Sequence, residues 1–365
     1  MLRFVLCLIC FLISTLAVLK APAYHLWLVA ILVTEFPFFL AGFIILLLLW
    51  GIKVEKFQLP GTFLANLALM LVLSTPVRAW LLGREVKKRF GVQTSPISLK
   101  QLFSGKETRE VAFRKLSYPS NGDRLAMDFF PAVSTGKRPC IIVIHGGSWK
   151  SGDNAQLPEL NSVLALEGYH VAAVNYHLAP KYQSPVQVDD IRAAFEYLRR
   201  HSQELRIDTG RFVLLGRSAG AQIALVSAYT MHEQGIKGVI DFYGPADMVW
   251  GYTRPASPLV MDSRKVMVDY LGASLDAKPQ YYEQSSAINF VTADSPATLI
   301  IHGENDVLVD YEHSRRLQII LQEHAVKNYF LSLPWATHGF DYNINGPGGQ
   351  LSTFVVKEFL KDVTR

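Results

Sequence analysis

Cysteine is nearly absent: the chain has three in 365 residues. Cys7 and Cys10 fall inside the first apolar run and Cys140 opens a strand-like one, so neither a disulfide framework nor a zinc-ligand spacing can be built from them. The net charge is +5, yet the basic residues are scattered or sit next to apolar runs. No basic stripe interleaved with aromatics exists, which argues against a nucleic-acid partner. Residues 147–152 brush against a phosphate-loop spacing but continue with Asp153 where a lysine is needed, and a carboxylate there repels phosphate. A dinucleotide fingerprint, internal repeats and low-complexity tracts are missing too. No pattern calls for a metal or an organic cofactor.

Apolar residues are in excess, at 50% of the chain, and the surplus lies before residue 84. Runs at about 2–19, 24–51 and 61–83 reach bilayer-spanning length, which predicts a multi-pass anchor over residues 1–90 with the lipid bilayer as a partner. A cleaved signal peptide is the competing reading of the first run, with Arg3 as its charged start and Ala21-Pro22-Ala23 as its cleavage site. Its length, Lys20 and the two runs that follow weigh against that. Lys20, Arg84, Lys87, Lys88 and Arg89 flank one side and Arg3, Lys53 and Lys56 the other, a bias that places the catalytic part in the cytoplasm. Glu35, just before Pro37, falls mid-run, where a carboxylate costs about 2.5–3.5 kcal/mol on insertion scales. It is expected to face other helices as a polar residue tolerated at a proline kink. Residues 91–110 read as a linker.

From residue 111 to 365 short β-rich runs alternate with helical stretches. This predicts an α/β domain with an eight-stranded, mostly parallel sheet covered by helices on both faces. Asn121-Gly122 signals a tight hairpin, so the first two strands should be antiparallel. Val188, Ile191, Ala194, Phe195 and Leu198 recur at helical spacing across a crossover at 186–201. An insertion at about 244–296, with short helices near 262–271 and 279–288, is expected to cover a site. Trp149, Tyr243, Met248 and Trp250 either line a substrate pocket there or pack the core and lid.

The sequence Gly216-Arg217-Ser218-Ala219-Gly220 stands where a strand-like run meets a helical one. A serine hydroxyl is a weak nucleophile, and a sharp strand-to-helix turn lifts it beside a base at the positive end of a helix. Upstream, His145-Gly146-Gly147-Ser148-Trp149 follows a strand. Paired glycines there let backbone amides turn toward a carbonyl oxygen, so Gly146, Gly147 and Ala219 are the expected oxyanion donors. His145 reads as a turn-holding residue. The acid should end a later strand: Asp306 fits, whereas Asp310 directly precedes a helical run and suits an N-cap. His338, after the last strand and before Gly339, is the expected base. His302 reads as structural, and His313 and His324 as solvated positions on a helix.

Serine, acid and histidine in that order, with His-Gly-Gly upstream, resemble the α/β-hydrolase fold and specifically its hormone-sensitive-lipase-like esterases. Asn175-Tyr176-His177-Leu178-Ala179-Pro180 is similar to that family's Tyr-Arg-Leu-Ala-Pro element, and Asp189-Asp190 resembles its acidic pair. Ser148 replaces a frequent third glycine and His177 the usual arginine. The resemblance implies a serine carboxylesterase with a Ser218–His338–Asp306 triad and a small-molecule or lipid ester substrate. The His-Gly-Gly-x-Trp form is also similar to that of arylformamidases and prenylcysteine-methylesterase-like enzymes, which leaves the leaving group open. A non-catalytic scaffold is the reading from another class, and the presence of both triad and hole weighs against it.

Overall fold

A computed structural model describes residues 1–50, 58–105 and 109–365. Its centre is one sheet of eight strands: β1 (Arg114–Ser120), β2 (Asp123–Phe130), β3 (Arg138–Ile144), β4 (His170–Val174), β5 (Ile207–Arg217), β6 (Ile236–Phe242), β7 (Ala297–Gly303) and β8 (Asn328–Leu333). Their order is β1-β2-β4-β3-β5-β6-β7-β8. β2 runs antiparallel to both β1 and β4, and all the other pairs are parallel. The β1–β2 turn is the expected one, with Asn121 and Gly122 at φ 47° and 86°, the left-handed pair that a two-residue hairpin requires. β1 begins three residues later than the sequence suggested.

Strand geometry sends alternate side chains to opposite faces, and here both faces are buried, as parallel sheets demand. Cys140, Ile142, Phe212 and Leu214 join one core, while Ile141, Val143, Val213 and Leu215 join the other. The crossover helix Val186–Arg200 buries the predicted stripe of Val188, Ile191, Ala194, Phe195 and Leu198. In the insertion after β6, short helices form at Met248–Thr253, Ser263–Leu271 and Pro279–Ser285.

The N-terminal region departs from three straight spans. The first run forms helix α1 (Leu2–Ser14) and a short 3-10 turn, less than the roughly 20 residues a helix needs to cross hydrocarbon. The second breaks into α2 (Tyr24–Glu35) and α3 (Pro37–Trp50), bent by 86°. Pro37 causes the break: it has no N–H to donate, and its ring forces Phe36 out of helical geometry, to φ −129° and ψ 47°. The third run lies within α4 (Gln58–Phe90), a helix of 33 residues and, among the described residues, the single helix long and apolar enough to cross a membrane unbroken. Lys53 and Lys56, counted above for orientation, lie outside the described residues.

α4 belongs to two packing units at once. Ala65, Ala68 and Val72 pack with Cys7 and Cys10 of α1 and with Ala41, Ile44 and Leu47 of α3. Further along, Ala79 and Val86 enter the core beneath the sheet together with Leu351 and Val355. Packing therefore continues across the boundary expected near residue 90, and the stretch read as linker carries a helical turn at Leu99–Ser104.

Candidate active site

β5 ends at Arg217 and the helix Ala219–Thr230 starts one residue after Ser218. Ser218 itself sits at φ 53°, ψ −121°, a strained conformation that a non-glycine residue adopts only where its surroundings impose it. The surroundings are tight enough to do so. A Cβ at Gly216 would lie 2.2 Å from the Gly220 carbonyl oxygen, and one at Gly220 would lie 2.3 Å from that of His145. The two glycines let strand and helix close on each other and push the serine out.

Ser218 Oγ lies 3.0 Å from His338 Nε2, and His338 Nδ1 lies 2.7 Å from Asp306 Oδ2. Asp306 is buried, yet every lone pair it exposes is used. Oδ1 accepts from the amides of Leu308 and Val309 at 2.9 and 3.0 Å. Oδ2 accepts from His338 and also faces His302 Nε2 at 3.1 Å. Ser314 Oγ lies 2.6 Å from His302 Nδ1; a hydroxyl donating there leaves the His302 proton on Nε2, aimed at Asp306. Burial by itself pushes the Asp306 carboxyl up. The adjacent His338 imidazole and the bonds from His302 and His338 outweigh it and hold the group below the usual carboxylate range. The acid stays ionised at any pH near neutral. His302, expected to be merely structural, thus supports the acid directly.

Of the three amides expected to bind an oxyanion, two are available. Gly146 N–H donates to Gln156 Oε1 at 2.8 Å, because the loop at 151–156 folds back over the glycine turn. Among the described residues the amides of Gly147 and Ala219 have no such partner, and Ala219 is the first residue of the helix Ala219–Thr230, where backbone donors are unsatisfied. Gly147 holds φ 123°, and a Cβ there would meet the Ser151 carbonyl oxygen at 2.1 Å. Gly147→Ala should therefore displace the donor and lower kcat about 10²- to 10³-fold, the effect of losing one oxyanion contact. Steady-state kinetics on a short acyl ester, with circular dichroism to show an intact fold, checks it.

Two cavities meet at Ser218. One, of about 330 Å³, is lined by Trp149, Met267, Val307 and Leu308 among others, with Lys20, Ala21 and Pro22 from the N-terminal region. The other, of about 500 Å³, is bordered by Gly146, Gly147, Gln156, Tyr243 and His338, and by Tyr24 and Trp27. Among the described residues, no group of His, Cys, Asp and Glu could hold a metal ion.

A family profile described as BD-FAE matches residues 127–321, more than half of the chain, from β2 through the segment that carries Asp306. The chain belongs to the BD-FAE family. This BD-FAE protein is 26% identical over 248 residues to the probable carboxylic ester hydrolase LipM of Mycobacterium tuberculosis, covering 63% of this chain and 55% of that one. It is 25% identical over 250 residues to the esterase LipC of the same organism, covering 64% and 60%. The match thus spans under two thirds of each relative. Among solved structures it resembles a bacterial heroin esterase at TM-score 0.64 and 23% identity, covering 72% of this chain and 87% of that one. It also resembles an esterase of Pyrobaculum calidifontis at TM-score 0.61 and 19% identity, covering 76% and 97%. The fold is the α/β-hydrolase fold.

The four residues expected at the substrate pocket of the BD-FAE chain divide. Trp149 lines the first cavity, stacked on Tyr270 at 4.3 Å with its Nε1 donating to Gln222. Tyr243 borders the second, its ring 4.4 Å from the His338 ring. Met248 is fully buried in the core, and Trp250 packs edge-on against His313 at 4.9 Å; neither lines a cavity at Ser218. Of the helix that carries them, Met248–Thr253, Gly251 reaches the first cavity. His313 corrects its expectation as well: it is buried, and burial pushes its imidazole down to about 3, so it stays neutral beside the first cavity. His324 is exposed, as expected; the N-cap of the helix Glu312–Glu323 is Tyr311 rather than the expected Asp310, whose Oδ1 accepts from Glu312 N at 2.9 Å in the turn just before it. His145 stacks on Tyr176 at 4.2 Å, and His177 pairs with the buried Asp190 at 2.9 Å. Neither reaches Ser218.

Sequence reasoning missed a further set of neighbours. Asp341, three residues beyond His338, accepts from Arg217 Nε at 2.5 Å and from the Tyr243 hydroxyl. It ties the residue before Ser218, the end of β6 and the loop that carries His338 into one buried unit.

Proposed function

We propose that the chain is a membrane-anchored carboxylic ester hydrolase that works through a covalent acyl-enzyme. The observation that carries this reading is the continuous hydrogen-bonded line from Ser218 Oγ through His338 to Asp306, mounted on a strained elbow beside the Gly147 and Ala219 amides. The names of the related proteins support the ester as the bond cleaved.

In the proposed reaction Ser218 Oγ attacks the ester carbonyl carbon while His338 Nε2 takes its proton. The carbonyl oxygen, now negative, is held by the Gly147 and Ala219 amides and by the N-terminal end of the nucleophile helix. Collapse of the tetrahedral intermediate breaks the bond to the alcohol, which leaves with the proton from His338. Water, deprotonated by the same imidazole, then attacks the acyl-serine and releases the acid. Asp306 stays ionised, fixing the tautomer with Nδ1–H and stabilising the imidazolium.

α4 is the proposed anchoring helix, with α1 and α3 lying beside its first half. Phe39 on α3, Leu59, Phe63 and Met70 on α4, and Leu12 on α1 all point outward and exposed, the side-chain chemistry a bilayer accepts. This reduces the multi-pass arrangement to one through-going helix. Lys20 pairs with Asp310 at 3.7 Å and Arg89 lies over the Tyr329 ring, on the catalytic side. Arg3 bonds Leu47 O and Thr62 at the other end. The excess of basic residues on the catalytic side supports the proposal that this side faces the cytoplasm.

Formamide cleavage by the same residues is the second proposed chemistry, carried by the His-Gly-Gly-x-Trp loop. Turnover of short and long acyl 4-nitrophenyl esters against N-formylarylamines separates the two. The ester reading expects kcat/KM at least about tenfold higher on an ester; a preference for the formamide would reverse it.

A further inference from the structure

We infer that Trp27 on α2 is a positioning residue for His338, held in place by the contacts that Lys20, Tyr24 and Glu35 make around the site. The inference rests on the hydrolase reading above. Trp27 Nε1–H donates to the His338 carbonyl oxygen at 3.0 Å, and both residues are buried. In so dry a place neither group has water to fall back on, so the bond is costly to leave unmade.

Its location explains what it does. The residue after the base is Gly339, at φ 79°, a conformation that frees the chain to turn but also leaves the 338–339 peptide easy to swing. Asp306 and the Tyr243 ring hold the imidazole from its side-chain end. The Trp27 indole pins the same residue from its backbone end, so that Nε2 stays within reach of Ser218 Oγ.

α2 is itself held at both ends by contacts with segments distant in sequence. At the start, Lys20 pairs with Asp310 on the acid loop and Tyr24 N–H donates to Leu259 O in the insertion at 3.0 Å. At the end, Glu35 Oε2 accepts from Gly348 N at 2.9 Å, in the first turn of the last helix, Pro347–Val363. Glu35 O accepts from Asn343 Nδ2 at 2.7 Å. The carboxylate that looked misplaced in an apolar run is an acceptor for the unsatisfied donors of a helix N-terminus. The 86° bend at Phe36 is what lets α2 leave the apolar bundle and lie across the site.

The test uses the full chain in detergent micelles with 4-nitrophenyl butyrate as substrate. Trp27→Phe keeps an aromatic wall and removes only the donor. It should lower kcat about tenfold while KM changes by less than about twofold, and slow labelling by a fluorophosphonate to a similar extent. Leu28→Ala, on the exposed side of the same helix, should leave both constants at the wild-type values. Wild-type kcat in Trp27→Phe, or an equal loss in Leu28→Ala, would overturn the inference. If Trp27→Phe does not fold, Glu35→Leu and Lys20→Met each remove a side-chain contact that holds one end of α2; a fall in kcat at constant KM in either supports the inference, and wild-type kcat in both overturns it. Turnover near the wild-type rate in Ser218→Ala would instead remove the hydrolase reading. An inactive Ser218→Ala beside an unaltered Trp27→Phe removes this inference alone.

Discussion

Ser218→Ala is expected to lower kcat on a short acyl ester by about 10⁶-fold while leaving the thermal midpoint where it was. The two halves of that expectation have separate grounds. Ser218 occupies its left-handed backbone conformation because Gly216 and Gly220 let β5 and the following helix close around it, and alanine meets the same backbone strain with the same Cβ. The hydroxyl makes one side-chain contact, to His338 at 3.0 Å, so its loss removes little that holds the fold. What it removes is the atom that forms the bond to the acyl carbon. The two free amides would still polarise a carbonyl, which leaves residual turnover above the reaction in water. Kinetics and a thermal melt on the same preparation check both halves.

Asp306→Asn is expected to cost about 10⁴-fold in kcat, measured in the same way. An asparagine here can satisfy one side of its pocket only. Its carbonyl oxygen replaces Oδ1 as acceptor for the Leu308 and Val309 amides, because turning the amide group round would set its own N–H groups against theirs. The NH₂ then faces His338 Nδ1 and His302 Nε2, where the carboxylate accepted from both. His338 must offer a lone pair at Nδ1 and carry its proton on Nε2, pointing at the serine oxygen it should deprotonate. His302 meanwhile loses an acceptor but keeps Val309 O at 3.0 Å, so the loop should hold. A large drop in kcat with an intact fold is the signature of a tautomer fault rather than of collapse.

The residues whose roles follow from order along the chain were the legible ones. Ser218, Asp306 and His338 were named because each stands in a loop after a strand, in the order an elbow-type hydrolase uses, and the structure brings the three together. The alternating β and helical runs gave the sheet, since burial on both faces leaves an unmistakable apolar signal in strands such as β3 and β5. Contacts between residues distant in sequence were hidden. Nothing in the pattern announces that Gln156 takes the Gly146 amide, or that His302 leans on Asp306. His313 looked solvated because one polar residue on an amphipathic helix says nothing about what the insertion lays over it.

The N-terminal runs misled for a different reason. Hydropathy counts apolar residues but does not say what buries them, and Trp27, Ala30 and Ile31 pack beside Val307 and Leu308 near the site. Pro37 was the readable clue: a proline thirteen residues after the start of a candidate span breaks it into two pieces, neither of them long enough to cross. Glu35 was read as a tolerated oddity at that kink, whereas its partners lie in the backbone of the last helix, more than three hundred residues away in sequence.

The central claim is that Ser218 is the nucleophile and that His338 activates it. Its most direct test is mass spectrometry of the full chain after treatment with a fluorophosphonate, with the modified residue mapped in wild type and in His338→Ala. The expected result is a single adduct on Ser218 that forms far more slowly in the histidine variant. An adduct on another residue, or labelling of Ser218 at an undiminished rate without the imidazole, would contradict it.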